Sequence, residues 1–382
     1  MHRPDQRAGP PASDRASGSR RAADAASTRL AEQVPEALRD LLRGLEAADA
    51  EAPGALARAD PRHVYGSLRT LVLRLAFLLH AEARGLLPGD VLTGLHRRLR
   101  EDAADDPGAL ARRHDAWSAL LALFRRVHAG DAGRAQPARL GALFDPGDLE
   151  GDAPRLTIPR MSDDIVRRVL DRLLVVDGEP VSYRDLDVEQ LGSIHEATLG
   201  YTLARANDHP GALLLRPGEE RRRSGAHYTP RELTGPIVEE TLRPVLAALG
   251  ERPTPAQLLA LTICDPAMGS GAFLVEACRQ LGAHLVRAWE RHAQIPALPP
   301  GDALLHHARR LVARRCLHGV DRDPAAVELA KLSLWLVTAP RSATIGPSAV
   351  GSIGGSSARS SQRKAAIWRV VKPTRESPCL RA

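Results

Sequence analysis

Ile263-Cys264-Asp265-Pro266-Ala267-Met268-Gly269-Ser270-Gly271-Ala272-Phe273-Leu274 is the stretch that decides how this chain of 382 residues folds. A short apolar run ends at an acid, two glycines stand two apart, and a helical pattern begins. That order reads as a strand, a tight turn and a helix. Glycine lets backbone pass close to a ligand, and the first turn of a helix offers unpaired N–H groups. An acid at the end of the strand can pair with a cationic or hydroxylated part of a nucleoside ligand. A lone Gly-x-Gly is weak, since close strand–helix packing asks for the same residues. As a dinucleotide fingerprint the segment fails, because the third glycine position holds Leu274.

Working outward, the texture beyond Gly225 is α/β. The pattern predicts a capped helix from Thr229 to about Leu249, a strand at about Leu259 to Cys264 and a helix from Gly271 to His292. A helix from about Ala303 to Arg315, a short strand from Cys316 to Val320 and a helix from Pro324 to about Val337 follow. Strand and helix alternating in this way imply a parallel sheet. In Gly319-Val320-Asp321-Arg322-Asp323-Pro324 a second strand ends at an acid, and Asp323 with Pro324 caps the next helix. An acid placed there can accept hydrogen bonds from ribose hydroxyls. In Gly225-Ala226-His227-Tyr228-Thr229-Pro230-Arg231-Glu232, Thr229 suits an N-cap, Pro230 the first helical position and Glu232 a capping box. By itself that segment is only a well-capped helix. The preceding Arg221-Arg222-Arg223 reads as a solvated linker or as a loop that meets DNA phosphates.

Upstream, from about Ser27 to Tyr201, the pattern is helical. Leu68, Leu71, Val72, Leu75, Leu78 and Leu79 form one apolar stripe, repeated at Trp117, Leu120, Leu121 and Phe124 and again at Leu191, Ile194, His195 and Leu199. Breaks at Pro88-Gly89, Pro107-Gly108 and Pro146-Gly147 separate the helices. Nothing in this half has catalytic spacing, and His195 reads as a packing residue rather than a ligand.

Whole-chain quantities exclude several classes. The net charge of +7 suggests nucleic acid, but eight basic residues against the single acid Glu376 follow Thr338, and the first 338 residues are neutral. The charge is therefore no evidence of DNA binding. Four cysteines, Cys264, Cys278, Cys316 and Cys379, show no CxxC spacing, which argues against a zinc site or disulfide framework and fits a reducing cytoplasm. The best apolar run, Leu68 to Leu79, is broken by Arg69 and Arg74, so no membrane segment is expected. Residues 1–28, rich in Arg, Ala, Ser, Gly and Pro, read as a disordered tail or as the product of a start codon set too early. Residues 339–362 lose all periodicity, and two of the three lysines lie in the last nineteen residues. That composition suits a shifted reading frame joined to a real domain, or else a natural disordered tail.

With its acid, proline and following phenylalanine, the 263–274 segment resembles motif I of the amino-group DNA methyltransferases, Asp-Pro-x-x-Gly-Ser-Gly-x-Phe-Leu. The Tyr228-Thr229-Pro230 segment is similar to the motif that closes over the methionine end of the cofactor in this family. Asp321 and Arg322 resemble its motif II, which places Asp321 on the ribose and Arg322 beside the adenine. Segments Arg74 to Pro88 and Leu191 to Glu196 resemble stretches found ahead of the methylase in type IIG and phage-defence enzymes, with His195 where tyrosine is usual. The resemblance covers roughly residues 60–338, with specific motifs from 225 onward. It implies S-adenosyl-L-methionine as cofactor, held by Tyr228, Thr229, Asp265, Ala267, Gly269, Gly271, Phe273 and Asp321. It also implies double-stranded DNA as partner, through regions further along a complete homologue, together with restriction or defence-system subunits.

The family grips the flipped adenine with Asn-Pro-Pro-Tyr or Asn-Pro-Pro-Phe after its fourth strand. No Asn-Pro-Pro occurs here, and Asn207 is the only asparagine. No catalytic residue and no metal ligand is therefore assigned. The expected fold class is α/β, a helical N-terminal domain followed by an incomplete Rossmann-like S-adenosylmethionine-dependent methyltransferase domain. The expected divisions are a tail over 1–28, a helical domain over 29–215, a partial methyltransferase domain over 216–338 and an aberrant tail over 339–382. The expected activity is adenine-N6 methylation of DNA in restriction–modification or phage defence, with this chain truncated and inactive alone. A non-catalytic subunit or interaction module that keeps the cofactor-binding half is the alternative. An incomplete sheet leaves an open edge, which predicts poor solubility.

Overall fold

A computed structural model describes residues 12–51, 54–106, 108–129, 142–145, 160–206, 212–218, 229–298 and 301–339. The expected 339–382 tail lies outside the described residues except at Ala339.

The first half is built from α1 (Ala12–Glu51), α2 (Ala55–Arg58), α3 (Pro61–Ala83), α4 (Leu92–Asp105), α5 (Asp115–Ala129), α6 (Asp163–Leu174) and α7 (Leu191–Leu199). Helix α1 reaches back to Ala12, into the stretch read as an unstructured tail. Alanine and arginine, which dominate that stretch, are strong helix formers, and this propensity is what the reading by composition overlooked. Asp60 opens α3 by accepting from the Arg62 amide, with Pro61 in the first turn. This helix is long and apolar enough to cross a membrane, but 83% of that apolar window is buried inside the fold. It is the central core helix of this half.

The two arginines that interrupt its stripe have separate partners. Arg74 is 1% exposed. It donates to the carbonyls of Leu143 and Asp145 and lies 5.3 Å and 5.7 Å from the ring centroids of Phe124 and Phe144. Arg69 faces Asp323, in the other half of the chain. The buried His80 ring is pushed well below the usual imidazole range by burial and then by Arg84, so it packs as a neutral ring against Tyr183.

The helical half is not purely helical. A short hairpin pairs β1 (Val175–Val176) with β2 (Glu179–Pro180). Strand β3 (Tyr201–Arg205) runs antiparallel to β4 (Leu213–Pro217), Leu203 opposite Leu215. The boundary expected at 215/216 therefore falls within a strand. The reading by helical stripes had no assignment for this hairpin, which buries Leu203 and Leu213.

Beyond it come α8 (Arg231–Ala248), α9 (Pro255–Leu259), β5 (Ile263–Asp265), α10 (Ala272–Arg291), α11 (Leu304–Arg315), β6 (Leu317–Gly319) and α12 (Pro324–Thr338). Strands β5 and β6 pair in parallel, Asp265 opposite Gly319. Leu259 belongs to α9 rather than to the strand, because Thr254 and Gln257 form a capping box that starts a helix there. Among the described residues the fold is thus mixed, mostly helical with three two-stranded sheets.

A single hydrophobic core runs through both halves. Helix α12 joins them, packing against α10 and α11 on one side and α3 and α7 on the other. The Trp335 ring lies 6.2 Å from that of Phe77. Around this seam Arg279 of α10 pairs with the fully buried Glu189, with its Nη2 2.9 Å from Oε2. A buried charge tolerated in this way needs its partner in place.

Candidate functional site

The site is the pair of turns that leave the C-terminal ends of β5 and β6. In the first, Asp265 Oδ1 accepts from the Ala267 amide at 3.1 Å. The Met268 amide donates to Val320 O and the Gly271 amide to Met268 O. Those bonds fold the loop back onto the second turn before α10 begins. Gly269 and Gly271 both take left-handed backbone, with φ of 54° and 88°. At Gly271 a Cβ would stand 3.0 Å from that of Ala330 in α12, so conformation and packing both demand glycine. At Gly269 a Cβ would meet nothing within 4 Å, which leaves open space in front of the loop. Gly271 is the N-cap of α10, and no side chain caps that helix. Its first amides are left for an outside acceptor.

In the second turn Asp321 Oδ2 accepts from the Gly269 amide at 2.9 Å and Oδ1 from the Asp323 amide at 2.8 Å. Asp321 therefore bridges the two turns. Asp323 caps α12 through the Ala325 amide, as the sequence predicts. Burial first, and then the charge of Asp321, push the Asp265 carboxyl above its usual range, against a lowering bond from the Ala267 amide. Two carboxylates held close together with amide partners favour the arrival of a cation or of hydroxyl donors.

Of the residues singled out in the sequence, Asp265, Ala267, Gly269, Gly271 and Asp321 come together here. Phe273 is half-buried against the core on the first turn of α10. Thr229 does not cap α8. Pro230 occupies the cap position without a side-chain bond, so the predicted capping box with Glu232 is absent. The helix starts one residue later than expected, and Arg231, its first residue, donates to Glu276 of α10 at 3.2 Å. Tyr228 and the Arg221-Arg222-Arg223 run lie outside the described residues. Cys278 and Cys316 are buried thiols, both raised by burial.

The sequence reading missed the contacts that support Asp323. His195 is 4% exposed, and its Nε2 lies 2.9 Å from Asp323 Oδ2. A carboxylate only accepts, so this nitrogen donates. Arg69 approaches the same carboxylate at 3.4 Å and 3.5 Å. The only signal in the sequence was the polar residue itself, set within an apolar helical face.

Residues 214–344 match the family model described as N-6 DNA Methylase. Over that segment the chain is similar to the N-6 DNA methylases. Its strand, glycine turn, helix and second acidic turn all lie inside the matched segment. A protein of Methanocaldococcus jannaschii described as a type II restriction enzyme and methyltransferase is 24% identical over a region covering 70% of this chain. The chain spans 24% of that relative's length. A solved structure of the type IIL restriction-modification enzyme MmeI in complex with DNA is 17% identical, with a TM-score of 0.43, covering 81% of this chain and 36% of that one. The matched segment shares one hydrophobic core with the helical half.

Proposed function

We propose that this chain is the S-adenosylmethionine-binding half of an adenine-N6 DNA methyltransferase acting in restriction–modification or phage defence, with a Rossmann-like sheet begun by β5 and β6. One observation carries the reading. The open glycine turn, the uncapped start of α10 and the two acids Asp265 and Asp321 converge at one end of a parallel strand pair. These residues fit the cofactor. Asp265, disfavoured as an anion by burial and by Asp321, would gain from a cationic ligand group. The oxygens of Asp321 have lone pairs left for ribose hydroxyls, and the space before Gly269 admits a ligand at van der Waals distance. S-adenosylmethionine bound there would supply a methyl group on a sulfonium. The chain's own residues bind and orient, and positioning of this kind accounts for a large share of a transfer barrier.

Isothermal titration of the full chain with S-adenosylhomocysteine tests the proposal. Saturable binding that weakens about 10-fold in Asp321→Ala is expected, the loss of roughly one charge-assisted hydrogen bond. A wild-type chain that binds nothing in this titration overturns it.

A further inference from the structure

We propose that the helical half sets the geometry of the cofactor turn, with His195 and Arg69 as positioning residues that act through Asp323. The proposal rests on reading that turn as the cofactor site. An unbroken series of polar contacts leads from one to the other. His195 Nε2 and the Arg69 guanidinium hold the Asp323 carboxylate. The Asp323 amide donates to Asp321 Oδ1, and Asp321 Oδ2 accepts from Gly269 in the glycine turn.

Capping α12 requires only that Asp323 accept from the Ala325 amide, which it does at 3.0 Å through Oδ1. The His195 and Arg69 contacts are additional to that task, and they fix the carboxylate's rotamer. They come from two different helices that are themselves pinned. The Tyr65 hydroxyl of α3 donates to the Thr198 carbonyl of α7, and the Thr198 hydroxyl donates to the His195 carbonyl at 2.6 Å. The Ser27 and Ser193 hydroxyls tie α1 to the same helix at 2.8 Å. The turn that carries Asp321 is therefore referenced to a rigid helical frame rather than to its own short loop.

Residue-resolved hydrogen exchange on the full chain without ligand, paired with S-adenosylhomocysteine titration, tests the proposal. His195→Phe keeps a ring and removes the donor, whereas His195→Gln keeps an N–H at a similar reach. His195→Phe should speed exchange of the Gly269 amide and weaken binding, each by about 2- to 30-fold, the usual range for residues that couple through contacts. Amides in the middle of α10 should be unchanged, and His195→Gln should restore most of both effects. Arg69→Gln, at the rim of the seam, should show the same pattern if His195→Phe does not fold. Unchanged exchange at Gly269, or a His195→Gln variant as impaired as His195→Phe, overturns the proposal. If the wild type shows no binding but His195→Phe still loosens Gly269, the cofactor reading fails while the mechanical coupling stands.

Discussion

Three elements converge on the Asp323 carboxylate, so its ionisation is a direct readout of the seam. Burial alone would raise its pKa. The His195 hydrogen bond, the charges of Arg69 and His195 and the Ala325 amide outweigh burial and hold the group at about 2, against an ordinary 3.8. A depressed pKa means that the folded chain binds fewer protons than the unfolded one through this range. The stabilisation is then complete above 3.8 and is lost as the pH falls from there through about 2. The difference between 3.8 and about 2 corresponds to about 2 kcal/mol. The Asp323 side chain is 21% exposed, so solvent screening takes only a modest share of that figure. Asp323→Asn keeps the shape and an oxygen for the Ala325 amide but removes the charge. In urea unfolding near neutral pH the variant should be about 2 kcal/mol less stable than the wild type. The gap should narrow steadily between about pH 4 and about pH 2. A gap that stays constant over that range would refute the argument, because the cost would then come from packing rather than from the ionised carboxylate.

Gly271→Ala should cost about 2 to 4 kcal/mol, combining a left-handed backbone with contact against Ala330, and the thermal midpoint should fall accordingly. Asp265 has the opposite sign to Asp323. Its raised pKa makes the anion a burden that appears as the pH rises above 3.8 and is complete above the folded value. Asp265→Asn should therefore raise the denaturant midpoint at neutral pH while lowering S-adenosylhomocysteine affinity. Arg279→Leu leaves the buried Glu189 unpaired and should cost about 3 to 5 kcal/mol in chemical unfolding. Adding Glu189→Gln should recover a large part of that loss, and a double variant no better than the single one would count against the pairing.

Local order along the chain was legible where the sequence carries local signals. The helix limits at Ala272–Arg291 and Pro324–Thr338 fall within a residue of those read from apolar stripes, Gly271 and Asp323. The acid and the paired glycines gave the turn between β5 and α10 its shape, since few residues other than glycine take φ values of 54° and 88°. Where several local readings compete, the sequence misleads. Thr229, Pro230 and Glu232 make a good capping box in isolation. The observed helix starts at Arg231, whose side chain reaches both Glu276 and Asp187. Tertiary contact has overridden the cap preference by one residue. The β3–β4 hairpin was missed for a related reason. Its pairing joins residues on either side of a break, and a strand of five residues shows too little alternation to be distinguished from a short helix.

Arg69 and Arg74 show why the supporting residues of the site stayed hidden. In the sequence both are only interruptions of one apolar run, a sign that α3 does not cross a membrane. Five residues apart, they lie about 140° apart around the helix. Arg74 points among aromatic rings and loop carbonyls in its own half, whereas Arg69 reaches Asp323 some 254 positions away. The spacing alone shows that they cannot share a partner, but nothing in it names either one. A charge set in an apolar stripe must find a counter-charge or acceptor, because leaving it unpaired costs more than a fold of marginal stability can bear. Each such residue is thus a half-statement about a distant contact. His195 is another, with its donor buried on an apolar face and its acceptor in the second acidic turn. That two of the three half-statements are completed at Asp323 is why the seam, rather than either half alone, determines where the glycine turn sits.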